Sequence, residues 1–256
     1  MNLGFIGIGK IASAVIEGIC TSNLQHAILR LSPRNADNSR HLAGKYTNVI
    51  RMESNQEVLD QSDIIFIALR PSQAEEVLRS LIFRNNHIIV SLIPLLKHSE
   101  IVRLAAPART VCRAIPLPPV VNHNCPIPIY NPTPEIVELL NNIGQPIEIQ
   151  DEKKLHTIWT LTCLITPYYD LLNELSGWTV EHGVEKETAN QYIANLFQSL
   201  SYTAQIARPI EFSNLARHAA TPNGMNEQAG REIREMGAHE AYRMAADRIL
   251  GRFPKA

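Results

Sequence analysis

Long hydrophobic runs are missing from this chain. Its apolar stretches are strand-sized, as in "IIFIAL", so a membrane span is not expected. An excess of one charge is missing too: 24 Lys and Arg face 25 Asp and Glu, for a net charge of -1, which leaves no electrostatic footprint for nucleic acid. Cysteine is sparse, and Cys20, Cys112, Cys125 and Cys163 form no CxxC pair. With no signal peptide ahead of the first strand, they are expected to be reduced thiols of a cytoplasmic protein. The nine histidines form no HxxxH or HxH cluster, and "HNC" at 123–125 reads as a loop, so no metal site is expected. Internal repeats and low-complexity segments are also absent.

What is present is a change of pattern part-way along the chain. Up to residue 150, short apolar runs ("NLGFIGI", "AILRLS", "DIIFIAL", "HIIVSLI", "TVCRAI", "CPIPIY", "PIEIQ") alternate with helical stretches, the pattern of a doubly wound α/β sheet. From "DEKKLHTIWTLTC" onward nearly everything has helical spacing. We therefore expect a Rossmann-type dinucleotide-binding domain over 1–150 and an all-helical domain over 151–256, enough chain for two cores. One turn signal, "ATPNGMNE", interrupts the helical half.

The sharpest motif is "GFIGIGKIASA", a GxGxxA pattern between a strand and a helix. Gly7 permits the tight turn, Gly9 lets a pyrophosphate approach the backbone, and Ala12 allows close helix–strand packing, while Lys10 and Ile11 supply amides at the helix mouth. Cofactor choice is read at the end of the second strand, where an acid would grip the ribose 2′-hydroxyl of NAD. This strand ends "LRLSPRN", with no acid before Asp37. Ser32 and Arg34 instead offer a hydroxyl and a guanidinium fork to a 2′-phosphate, so NADP(H) is preferred, with NAD(H) possible if Arg34 is only a solvated charge.

The segments "GFIGIGKIASAVIEGI", "DIIFIALRPSQAEEVL", "VCRAIPLPPV", "TPYYDLL" and "ATPNGMNEQAG" resemble, in order and over nearly the full length, the pyrroline-5-carboxylate reductase family, which reduces a cyclic imine in proline biosynthesis. The resemblance implies that Leu69, Arg70 and Pro71 border the cofactor. It also implies that Thr221, Asn223, Gly224, Met225, Asn226 and Glu227 hold the substrate's carboxylate and reach its imine side, with Thr221 as an N-cap and Pro222 in the first turn of the next helix. Asn226 and Tyr169 become the side-chain candidates beside the reaction, although Asn226 can donate a hydrogen bond and cannot supply a proton. Glu227 either favours an amine-bearing substrate or complements the helix N-terminus.

Three segments depart from the family pattern. "RAIPLPP" (Arg113–Pro119) has Leu and Pro where the family has a polar pair, "LIPLL" (92–96) replaces a small-residue loop, and "TCLIT" replaces a Gly-Ser stretch. These changes make the expected pocket more apolar. The activity implied is NAD(P)H-dependent reduction of the C=N bond of a small-molecule cyclic imine carboxylate; the alternative is a non-catalytic or regulatory dinucleotide-binding protein with an altered substrate site. The family also dimerises through the helices after the boundary, so a homodimer is expected, each site pairing one subunit's cofactor with the other's turn.

Overall fold

The computed structural model describes residues 1–207, 209 and 211–254. The chain divides into two compact units, residues 1–160 with 250–256, and residues 161–249. In the first unit β1 (Asn2–Ile6), β2 (Ile28–Leu31), β3 (Val49–Arg51), β4 (Ile64–Ile67), β5 (Ile88–Ser91), β6 (Thr110–Ala114), β7 (Pro126–Tyr130) and β8 (Gln145–Ile149) form one sheet in the order β3-β2-β1-β4-β5-β6-β7-β8. The pairings from β3 through to β6 are parallel, β7 runs antiparallel to β6, and β8 lies parallel to β7.

A sheet covered on both faces needs strands apolar on both faces, and β4 is buried at every position. Two apolar clusters result: one gathers Leu3, Phe5, Ile16 and Phe66, the other Ile6, Ile65, Ile67 and Ile89. The crossovers are α1 (Lys10–Thr21), α2 (Ala36–Lys45), α3 (Asn55–Asp60), α4 (Pro71–Arg79), α5 (His98–Leu104) and α6 (Pro134–Asn141). The order reverses between β1 and β4, so their carboxyl ends open the crevice where such sheets bind ligands.

The strand signals end at β8, but the first unit continues through α7 (Glu152–Thr160), beyond the division expected near residue 150. The reason is packing: α7 buries Leu155, His156 and Trp159, and Leu155 and Trp159 join Ile115, Tyr130, Ile149 and Phe253 in a third apolar cluster.

The second unit consists of α8 (Ile165–Glu181), α9 (Lys186–Ile206), α10 (Phe212–Ala219), α11 (Met225–Glu235) and α12 (Ala238–Leu250), α12 ending at the division between the units. Helices α8 and α9 pair, and the Ser176 hydroxyl donates to Asn190 Oδ1 at 2.6 Å. Among the described residues, Ala189 and Ile193 are the buried apolar side chains of this unit, whereas Trp178, Tyr192, Leu200 and Phe212 are each more than half exposed. None of the described helices is long and apolar enough to cross a membrane.

Candidate functional site

The turn after β1 has the shape its glycines foretell. Gly7 lies at φ +91°, and a Cβ there would sit 2.7 Å from the Ala68 carbonyl oxygen at the end of β4. Gly9 is the N-cap of α1, is exposed, and a Cβ on it would meet no atom within 4 Å. No side chain caps α1 and no acid stands in its first turn, so the amides of Lys10, Ile11 and buried Ala12 are offered to an anion. A dinucleotide's pyrophosphate fits this open, uncapped mouth. Leu69 is buried at the end of the β4 edge, exposed Arg70 is the N-cap of α4, and Pro71 is its first residue, placing all three on the neighbouring wall of the crevice.

Ser32 and Arg34 do different jobs. Ser32 is 1% exposed and its hydroxyl oxygen accepts the Gly7 N–H at 2.9 Å, so it braces the glycine turn instead of facing solvent as a phosphate donor. Arg34 is exposed and stays available for a 2′-phosphate. Two braces escaped the sequence reading: Asn35, at φ +63°, and Asn38 both donate side-chain N–H groups to the Ile8 carbonyl, at 2.7 and 2.9 Å. The clue was the "RNADN" run, since asparagine tolerates positive φ at a helix start.

The two loops that depart from the family pattern are tied together by Arg113. Its side chain on β6 is fully buried. Nη1 donates to Glu152 Oε1 at 2.5 Å and to His156 Nε2 at 2.8 Å, Nη2 donates to the Ile93 carbonyl at 3.1 Å, and the guanidinium lies 5.0 Å from the Trp159 ring centre. Glu152 Oε1 also accepts the His98 amide at the start of α5, at 2.6 Å. One ion pair thus joins β6, the 92–97 loop, α5 and α7. Burial pulls Arg113 below its ordinary pKa while Glu152 pulls it back up.

His156 must be neutral at Nε2 to accept from Arg113, which has no acceptor of its own. Burial, and then Arg113, lower its pKa accordingly. In the unfolded chain the imidazole titrates near its usual value of about 6.5, so below that pH the unfolded state binds more protons. The stabilisation is complete above that value and is lost as pH falls. Denaturant midpoints measured at pH 7.5 and 5.5 should fall more for the wild type than for His156→Gln; an equal fall would show that His156 is not linked to stability.

The other motifs resolve into structural contacts. His123 Nε2 lies 2.9 Å from the Gly18 carbonyl, Cys125 is buried, and among the described residues no group of three or more His, Cys, Asp or Glu could hold a metal ion. Cys112 is fully buried in the first apolar cluster, and that burial pushes its thiol up to about 12.

In the second unit the Pro-Asn-Gly turn joins α10 to α11. The Gly224 N–H donates to the Thr221 carbonyl at 2.8 Å and Asn223 takes φ +60°. Gly224, not Thr221, is the N-cap of α11: closing the turn on Thr221's carbonyl delays the helix, so Thr221 and Pro222 lie before it. Met225 and Asn226 supply its first amides with no side-chain cap on them, and Met225 is 87% exposed. The Asn226 side-chain N–H group donates to the Ala219 carbonyl at 3.0 Å, bridging the two helices. Glu227 accepts the Asn223 amide at 2.7 Å, so its carboxylate already complements this end of the helix. Tyr169, on α8, is exposed and stacks at a tilt on Tyr168; among the described residues no hydrogen bond or ring contact links it to the turn.

The profile of a family described as NADP oxidoreductase, coenzyme F420-dependent, matches residues 2–94, the part of the chain that builds the glycine turn and the β4–α4 wall. Over the whole chain, a pyrroline-5-carboxylate reductase of Corynebacterium melassecola is 22% identical across 98% of this chain and 97% of its own length. The chain thus resembles pyrroline-5-carboxylate reductases at low identity along its whole length. The fold agrees with that likeness. A solved 1-pyrroline-5-carboxylate reductase of Streptococcus pyogenes superposes with a TM-score of 0.86 at 19% identity, covering 98% of this chain and 97% of the other. The Plasmodium falciparum pyrroline carboxylate reductase, solved with NADP bound, gives 0.83 at 17% identity over 98% and 96%. With the glycine turn, the sequence and fold likenesses point the same way, to NAD(P)-dependent oxidoreductases of the pyrroline-5-carboxylate reductase type.

Proposed function

We propose that the protein is an NAD(P)H-dependent reductase of the C=N bond of a cyclic imine carboxylate. The carrying observation is the full-length likeness to pyrroline-5-carboxylate reductases, together with an uncapped α1 mouth for the cofactor and the turn at 221–226. When bound, the cofactor supplies a hydride to the imine carbon while the nitrogen is protonated. The chain's own part is to bind and orient: the α1 amides take the pyrophosphate, the α11 amides take the substrate's carboxylate, and the loops held by Arg113 furnish an apolar, water-excluding wall. Because Asn226 holds Ala219 and carries no acidic proton, and among the described residues no hydrogen bond or ring contact links Tyr169 to the turn, the proton comes from solvent or arrives on an already protonated iminium. Cofactor fluorescence titration combined with turnover of a panel of cyclic imines tests the reading; cofactor binding without turnover would favour the regulatory alternative.

NADPH is the preferred cofactor, through Arg34. Arg34→Ala should weaken NADPH by about 10- to 150-fold, the worth of a charge-assisted contact of roughly 1.5–3 kcal/mol, and leave NADH unchanged. Ser32→Ala should weaken both cofactors alike, since it removes the brace on Gly7. Calorimetric titration of both variants with both cofactors separates the roles, and equal wild-type affinities would end the NADPH assignment.

The working unit is a homodimer formed through the helices of the second unit. Their exposed Trp178, Tyr192, Leu200 and Phe212 are the kind of apolar surface that a second copy covers. Light scattering at micromolar concentration should give twice the chain mass; a monomer there contradicts it.

A further inference from the structure

The second unit holds a cleft of about 810 Å³ between α10, α11 and the start of α12, continuous with the turn through Asn226 and Glu227. Its floor includes Ala216 and Gly230, and a Cβ on Gly230 would meet no atom within 4 Å. Arg217, Arg231, Arg234 and His239 also line it. Among the described residues no acid lies within ion-pair distance of any of these three arginines. Acids are close by in sequence but turned elsewhere: Glu227, four residues before Arg231, holds the Asn223 amide, and Glu232 accepts from Gln228 at 2.8 Å.

Helix electrostatics account for part of this charge only. Arg217 and Arg234 stand in the last turns of α10 and α11, where a cation complements the carbonyl end. Arg231 lies a turn earlier and gains least from that field, yet among the described residues it too has no ion-pair partner. Glu227 also lines the cleft, with its carboxylate engaged by the Asn223 amide; three guanidinium groups without an ion-pair partner among the described residues match a ligand bearing more than one acidic group, because each planar fork takes a carboxylate or phosphate in bidentate fashion. The volume lies within the range of small-molecule pockets.

We propose that this cleft binds a small molecule carrying at least two acidic groups. Resting on the function proposed above, that molecule is the substrate: one carboxylate sits at the turn, and a second acid is held by Arg231 and Arg234. The substrate is then an imine diacid rather than the simplest imine monocarboxylate.

Calorimetric titration of the purified protein, saturated with NADP⁺ so that the α1 mouth is occupied, with glutarate, pyrophosphate and butyrate tests this. Glutarate or pyrophosphate should bind at least ~10-fold more tightly than butyrate, as expected for one added charge-assisted contact. The tighter of the two tells a carboxylate ligand from a phosphate one. The Arg231→Gln/Arg234→Gln variant, altered at exposed positions, should keep its circular dichroism and lose that advantage. Equal binding of all three probes, or an advantage that survives in the variant, would overturn the proposal. The two readings fail separately: binding of diacids with no cofactor-dependent turnover of any imine would sink the reductase reading alone. Turnover of a monocarboxylate imine unaffected in the variant, with no diacid binding, would sink the diacid site alone.

Discussion

Glu152→Gln should destabilise the first unit by about 3 kcal/mol, because it leaves the fully buried Arg113 charge without its anion. For a chain of this size that corresponds to a fall of roughly 10 °C in the midpoint of thermal unfolding. Two features raise the cost. The same carboxylate oxygen holds the His98 amide, and among the described residues the Arg113 Nε is already buried without a hydrogen-bond partner. Arg113→Met/Glu152→Gln removes the buried charge together with its partner and should recover much of the loss, since a buried pair is worth less than the damage done by breaking it. Calorimetric unfolding of the wild type and both variants decides the point. A double variant no more stable than Glu152→Gln would show that the cost is packing and not an uncompensated charge.

A cyclic imine bearing a carboxylate should bind about 10- to 150-fold better than its decarboxylated analogue. The basis is a charge-assisted contact of roughly 1.5–3 kcal/mol with the uncapped amides of α11. Glu227 works against that contact, because its carboxylate sits on the Asn223 amide of the same turn. Glu227→Gln should therefore tighten the carboxylate-bearing imine and leave the decarboxylated one unchanged. Dissociation constants for both compounds with both proteins read this directly. If neither the carboxylate nor the substitution matters, the turn is only a connection between two helices.

The two-layered pattern of the chain was legible because it rests on local rules. Buried parallel strands such as β4 write themselves as unbroken apolar runs, and Gly7 and Gly9 stand where no side chain could. What was hidden depends on long-range pairing. Ser32 presents the same hydroxyl whether it faces a phosphate or the Gly7 amide, and only the fold brings those two residues together. Arg113 reads as one basic residue in a strand until Glu152, His156 and Trp159 arrive from α7, a helix that the strand pattern alone assigns to the other half. At the 221–226 turn the elements were legible and their register was not, because Asn223 at positive φ moves the N-cap from Thr221 to Gly224.

Reduction of a C=N bond is read by following NADPH oxidation and cyclic amine formation together in one reaction with an imine carboxylate. The expected result is one NADPH consumed for each amine formed, with NADH giving a lower rate at equal concentration. NADPH that binds to the protein yet is not consumed with any cyclic imine carboxylate would rule out imine reduction.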